Sequence, residues 1–479
     1  MNLAIPEERG VSLVSYKLVR WHLFAAVASL LVSMTAGFLY SLQFLDYFPF
    51  RGNEALSPGH IRLIHTNMAA YGFLFNGFTG MIYYVVPRLT GHKVLSEKLG
   101  KVIFFTWQFI LLASIVGYLM NKAQGVEWGE TPTGFRPGTF EMNFIPVDLL
   151  VVVGAVLVIA QFMTPLYKAR AQKFYVTLWY ITAGLVWLAL TYLMGTIIPE
   201  WVLPGAAGAA VTGLWIHDFV GLYVTPMGWG LMYFFVPLIL GKPIWSHSLS
   251  VIGFWALAFF YPLGGVHHFL LSPIPDYVEF GAISTTIAIE VVVTTVVVNF
   301  FMTLRGKWSS LRTNMAIRWF YAGAVMYFIT CFQCAFQVTW TFQKVIHFTD
   351  WVVAHAHLIM FGTFSFWIFG VLDWLWPRVT KHEWYSDSLR SWNFWLYLLG
   401  IMIMFLDLTM AGLTHGFMQR ELNPWSDILD MSRPFWWVRT FSGAVMIAGA
   451  LCGFYNMIRT AASKEPYVES KHHVPAEAE

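Results

Sequence analysis

Charge is scarce in this 479-residue chain: Asp, Glu, Lys and Arg make up 11% of it, against 57% hydrophobic residues. A soluble domain carries about a quarter charged residues, so a soluble enzyme is excluded. Cysteine is scarcer still, at three, which removes a disulfide scaffold from consideration. The one close pair, Cys331-Phe-Gln-Cys334, precedes Ala335 and so is not a CxxCH haem-attachment site. Small residues within a helix are its default reading. No internal repeat, low-complexity block or second soluble domain is evident, and Met1 to Arg20 lacks the pattern of a cleavable signal. A net charge of +3 leaves no basic patch for nucleic acid.

What the chain has in quantity is long apolar runs. A hydrocarbon core about 30 Å thick needs roughly 20 such residues per helix. Twelve candidates follow, at 21–43, 61–87, 101–121, 145–167, 173–196, 207–240, 249–271, 280–304, 318–342, 349–376, 391–415 and 434–458. The even number places both termini on one side. That side collects 21 of the 29 Lys and Arg residues and the other side 6, with Arg62 and Arg439 in the spans. Positive charge marks the cytoplasm. The expectation is an all-α polytopic membrane protein with twelve transmembrane helices and cytoplasmic termini. Residues 1–479 form one domain in the bilayer, with an outward loop 122–144 and a polar tail 460–479.

Ionisable groups inside spans are costly and face functional interiors. Fifteen histidines are present. His60, His92, His247, His382, His472 and His473 fall in loops or tails, and His22 and His415 at span ends, where solvated or interfacial positions suffice. His65, His217, His267, His268, His355 and His357 instead come from four spans and lie in the outer half of the bilayer. Helical residues turn about 100° each, so His355 and His357 face nearly opposite ways and serve different metals. Adjacent His267 and His268 converge with one more imidazole, for which His217 is the natural third. Three imidazoles leave an open position on copper or iron, and imidazole is also a haem axial ligand. The count closes with His65 and His357 on one haem, His355 alone on another, and the remaining three on a nearby metal.

The stretches RLIHTN (62–67), WIHDFVGLY (215–223), FFYPLGGVHH (259–268), HFTDWVVAHAH (347–357) and GLTHGFMQRELN (412–423) resemble the catalytic subunit of the haem–copper oxidase superfamily, and within it the C family, the cbb₃-type cytochrome c oxidases. The resemblance runs over nearly the whole chain. It implies a low-spin haem b on His65 and His357, a high-spin haem b₃ on His355, and the copper called CuB on His217, His267 and His268. Arg62 and His347 match positions near the haem propionates. Tyr261 matches a tyrosine covalently linked to the histidine at the His217 position, which supplies an electron and a proton when the O–O bond breaks. Seven residues before His268, it would share a helix face with it in α geometry. Tyr233 and Ser250 match the proton-uptake path from the cytoplasm. The activity implied is reduction of O2 to water, coupled to proton uptake and pumping, in a bacterial cytoplasmic (inner) membrane. With no CxxCH of its own, the chain would receive electrons from a c-type cytochrome subunit.

Nitric oxide reductases of the same superfamily keep the six histidines but hold non-haem iron in place of CuB, with acids nearby. Three departures lean toward them. Gln333 stands where cbb₃ oxidases usually have Glu, Val292-Val293-Thr294 replaces their Pro-Ser-Trp, and Glu290 adds an acid at the depth of His217. Asp218, beside His217, could serve either chemistry, as a ligand or as a proton carrier. Tyr261 points back to O2, since NO reduction needs no tyrosine donor. The resemblance further implies a calcium ion, for which Glu127, Glu130 and Glu141 in loop 122–144 are candidate acids, although a solvated loop is the default for each.

Overall fold

The computed structural model describes residues 12–121, 123–124, 131–132, 147–203 and 205–468. Glu127, Glu130 and Glu141 lie outside the described residues, as do His472 and His473. Among those described, helix dominates, and the one ladder is a two-residue ribbon of Ala123–Gln124 against Thr131–Pro132. In chain order the long helices are α1 (Tyr16–Leu45), α2 (58–90), α3 (Glu97–Leu119) and α4 (Leu150–Lys168). Then come α5 (Val176–Ile197), α6 (Ala206–Leu240), α7 (His247–Phe269) and α8 (Asp276–Leu304). The last four are α9 (Met315–Gln337), α10 (Asp350–Thr380), α11 (Asp387–Arg420) and α12 (Trp425–Ala461).

Eleven of these are long and apolar enough to cross a membrane, and this is a multi-pass membrane protein; α2 is the exception. Its length is not the reason, since residues 58–90 would extend about 50 Å at 1.5 Å per residue. Every residue from 70 to 87 is buried, including Asn76 and Thr79, so α2 meets other helices rather than lipid and has no need of a uniformly apolar surface. Leu112 of α3, Val156 of α4 and Leu406 of α11 show the opposite case, exposed apolar side chains suited to a lipid surround. His22, expected at an interface, is fully buried on α1, where its Nδ1–H donates to Asn76 Oδ1 at 2.9 Å.

The repeat that the sequence hides is plain in the backbone. Units α1–α4, α5–α8 and α9–α12 share one plan. The second helix of each contains a π-helical segment: Met68–Leu74, Phe219–Val224 and Leu358–Ser365. Each of these helices carries a proline three residues before its last (Pro87, Pro237, Pro377), whose carbonyl accepts the N–H of a left-handed residue, Gly91, Gly241 or Lys381. A serine then caps the third helix, with Ser96, Ser246 and Ser386 accepting from Leu99, Leu249 and Leu389. The same serine's backbone N–H and C=O are clasped by an amide of the fourth helix. Gln161 binds Ser96 at 3.1 and 2.9 Å, Asn299 binds Ser246 at 2.9 and 2.8 Å, and Asn456 binds Ser386 at 3.1 and 2.9 Å.

Counting back from the prolines aligns the histidines. His65 and His355 each precede theirs by 22 residues, and His217 and His357 by 20. The imidazoles thus occupy two registers just outside the π segments. A π turn adds a residue to the helical repeat and re-aims the side chains around it, a device frequent at functional sites.

Candidate functional site

Helix α10 starts where its motif dictates. Thr349 Oγ1 accepts the N–H of Trp351 as a cap. Asp350, in the first turn, accepts from Trp436 Nε1 at 2.9 Å and pairs with Arg439 at 3.5 Å, which ties α10 to α12. Trp351 lies parallel to His355, at 9° with ring centroids 5.6 Å apart. His355 and His357 leave opposite sides of the helix, His357 toward α2 and His355 toward α9.

The rings of His65 and His357 are nearly parallel, at 16°, with centroids 6.0 Å apart. Two metal–nitrogen bonds of about 2.0 Å, plus roughly 1 Å from each nitrogen to its ring centre, make a similar span. Hydrogen bonds set both tautomers. Nδ1–H of His65 donates to the Ser33 carbonyl at 2.8 Å, and Nδ1–H of His357 to the Val353 carbonyl at 2.9 Å, leaving Nε2 of each with its lone pair. Gly37 of α1 makes room, since a Cβ there would stand 2.6 Å from His65 Nδ1. This pair fits a haem held from both faces.

On the other side, Nδ1–H of His355 donates to Gln333 Oε1 at 3.1 Å, while Nε2 meets the Gln337 amide at 3.2 Å and Cys334 Sγ at 3.7 Å. Among the described residues, His217, His267 and His268 are the one group of three or more potential ligands whose atoms all lie within 4.8 Å of one another. Nε2 of His217 is shielded and has no hydrogen-bond partner, as a nitrogen kept for a metal would be. Nδ1–H of His267 donates to Thr286 Oγ1 at 2.8 Å, and that hydroxyl donates onward to the Ala282 carbonyl at 2.7 Å. His267 therefore offers Nε2. Replacing Thr286 by valine keeps the shape and removes the acceptor, and is expected to weaken non-haem metal affinity about 10–100-fold. Metal content after dialysis against graded chelator reads this out.

Tyr261 and His268 would share a face only in α geometry, and the structure does not have it there. Pro262 lacks an N–H, so α7 passes after Phe260 into two 3₁₀ turns, Tyr261–Leu263 and Gly265–Phe269. Tyr261 instead stacks on His217, with ring centroids 4.0 Å apart at 21°. Gly221, one turn after His217 on α6, permits this: a Cβ there would lie 1.7 Å from Tyr261 Cε1.

The remaining expected residues divide. Arg62 lies one turn before His65 on α2. His347 is half-buried just ahead of α10; burial lowers its imidazole from the ordinary value, against which the backbone of His268 and Leu270 acts. Asp218 is buried with Oδ1 unpartnered. Glu290, one turn beyond Thr286, has a shielded Oε1 without a partner, yet does not join the three-histidine group. Tyr233 and Ser250 are buried in the opposite half, and Tyr180, which sequence reasoning missed, stands between them. Its ring is 5.8 Å from that of Tyr233, and its hydroxyl donates to the Ser250 carbonyl at 3.5 Å.

The profile of the family described as cytochrome c and quinol oxidase polypeptide I matches residues 17–445. The chain belongs to that family. Membership makes it a haem–copper oxidase subunit I and an oxidoreductase, of a family that works with haems and CuB. It is 28% identical over 444 residues to cytochrome c oxidase subunit 1 of Rhodobacter capsulatus, covering 89% of this chain and 81% of that one. It is 26% identical over 469 residues to the cbb3-type cytochrome c oxidase subunit CcoN1 of Stutzerimonas stutzeri, covering 94% and 96%. A nitric oxide reductase subunit of the same organism is 23% identical over 423 residues, covering 82% and 85%. A haem–copper terminal oxidase solved as a dimer shares the fold of this family member at a TM-score of 0.77 and 14% identity, covering 94% of this chain and 85% of that one.

Proposed function

We propose that this subunit reduces O2 to water with electrons from a c-type cytochrome subunit, in a bacterial cytoplasmic membrane with both termini in the cytoplasm. The observation that carries the reading is Tyr261 stacked on His217, beside a ligand group made of imidazoles alone. When bound, a haem on His355 and copper on His217, His267 and His268 would supply the redox chemistry, and a haem between His65 and His357 the electrons.

The protein groups do the rest. Hydrogen bonds from Nδ1 fix the tautomers of His65, His357, His355 and His267, so that Nε2 of each carries the lone pair a metal would take, that of His355 resting against the Gln337 amide and Cys334 Sγ. Tyr261 keeps a phenolic proton and an oxidisable ring next to the three-imidazole group. Tyr233, Tyr180 and Ser250 form the start of a proton route from the cytoplasmic side. Arg62 and His347 would face haem carboxylates, as charge-assisted donors.

NO reduction is the second reading, favoured by Glu290, whose shielded Oε1 lies one turn from the acceptor of His267. The two separate on the assembled, purified complex. O2 reduction requires one copper per two b-type haems and O2 turnover well above NO turnover. One non-haem iron per two b-type haems, no copper and preferential NO turnover would overturn it.

A further inference from the structure

Two of the three imidazoles in the ligand group have side-chain anchors, His217 stacked on Tyr261 and His267 bonded to Thr286. No hydrogen bond among the described residues holds the His268 ring, so its aim is set by the backbone that carries it. That backbone leaves the 3₁₀ segment Gly265–Phe269 through a type II turn over residues 269–272. Leu270 stands at φ −56° and ψ 143°, Leu271 at φ 65°, and the Ser272 N–H donates to the Phe269 carbonyl at 3.2 Å. The third position of such a turn favours glycine, because positive φ strains a residue with a Cβ. Here it is a leucine, and its side chain is exposed, so burial does not account for it.

What holds Leu271 is Glu279, in the first turn of α8. Its carboxylate is buried, with Oε1 accepting the Leu271 N–H at 2.8 Å and Oε2 the Trp340 indole N–H at 2.7 Å. Both bonds are of the stronger, charge-assisted kind. Trp340 opens the short helix Trp340–Ile346 that leads to α10, so one side chain joins the exit of α7, the start of α8 and the approach to α10. His347 lies against the same stretch, at the backbone of His268 and Leu270.

We propose that Glu279 is a positioning residue for the non-haem metal: by holding Leu271 left-handed it fixes the turn after His268, and with it the direction of that imidazole. Strained backbone of this kind persists where surrounding bonds over-determine it, and it clusters at ligand clamps. Glycine would adopt the turn without help, whereas valine would resist it. The identity of residue 271 therefore decides how much Glu279 matters.

The inference rests on reading the three imidazoles as a metal site, and the experiment separates the two. The assembled complex is dialysed against graded chelator and its retained copper and non-haem iron are counted, with the low-spin haem spectrum as a check on folding. Glu279→Ala is expected to weaken retention about 10–100-fold, and Leu271→Gly added to it should restore most of the loss. Leu271→Gly alone should retain metal as the parent does. Leu271→Val, with Glu279 intact, should weaken retention. Should Glu279→Ala fail to fold, the Val and Gly variants decide alone. Parental retention in Glu279→Ala, a loss that Leu271→Gly does not restore, or equal retention in the Val and Gly variants overturns the role of Glu279 and leaves the ligands standing. Unchanged metal retention in His268→Ala overturns the ligand reading, and the inference with it.

Discussion

Replacing His355 with alanine is expected to abolish carbon monoxide binding by the reduced protein and to bring O2 turnover to background, while the low-spin haem spectrum persists. Replacing His357 should do the reverse, removing the low-spin signal and leaving a carbon-monoxide-reactive haem that no longer receives electrons at a useful rate. The two residues share one helix and differ by two positions, so general damage to α10 would strike both signals together. Independence is expected because His357 meets His65 across to α2 while His355 is held by Gln333 on α9. Retention of carbon monoxide binding in the His355 variant, or loss of both haems in either variant, would contradict this assignment.

The second large effect should come from a residue with no chemistry of its own. In Gly221→Ala the new methyl would sit 1.7 Å from Tyr261 Cε1 and 2.0 Å from its Cδ1 and Cζ, so the ring must leave His217. The expected result is a fall in O2 turnover of about 10²–10⁴-fold, the range for losing a positioned proton donor. Non-haem metal content should hold. Tyr261→Phe should reproduce the loss without disturbing the backbone, which distinguishes a missing hydroxyl from a distorted α6. If both variants turn over O2 normally, Tyr261 is packing and the case for O2 over NO loses its main support.

The long helices, eleven of them apolar enough to span, and the placing of six histidines on four helices were legible in the sequence because each is a pattern in residue type along one helix. Apolar runs mark the spans, and the two-residue spacing of His355 and His357 sends them to opposite sides. What could not be read is what lies between helices. Thr286, Ser33 and Val353 fix imidazole tautomers through contacts far apart in sequence or through the backbone, where identity carries no signal. Tyr180 is one tyrosine among 21 until α5 is placed against α6 and α7. Tyr261 departs from the face of His268 because Pro262 ends the α-helix instead of continuing it. The repeat escaped for a related reason. Its recurring parts are hydrogen-bond roles filled by different residues: Gln161 for Asn299 and Asn456, and Lys381 for Gly91 and Gly241.

That repeat bears on how this protein can drift under selection. The three second helices are structural siblings, and α2 and α6 each retain an imidazole in a single register, His65 in one and His217 in the other. Helix α10 fills both. On the proposed assignment, a change on α2 or α6 therefore touches one redox group. On the same assignment, a change in the outer half of α10 is pleiotropic, altering the group that would supply electrons and the group that would spend them in one step. Natural variation among descendants of this chain should be lowest around residues 349–357 for that reason, lower than around either His65 or His217.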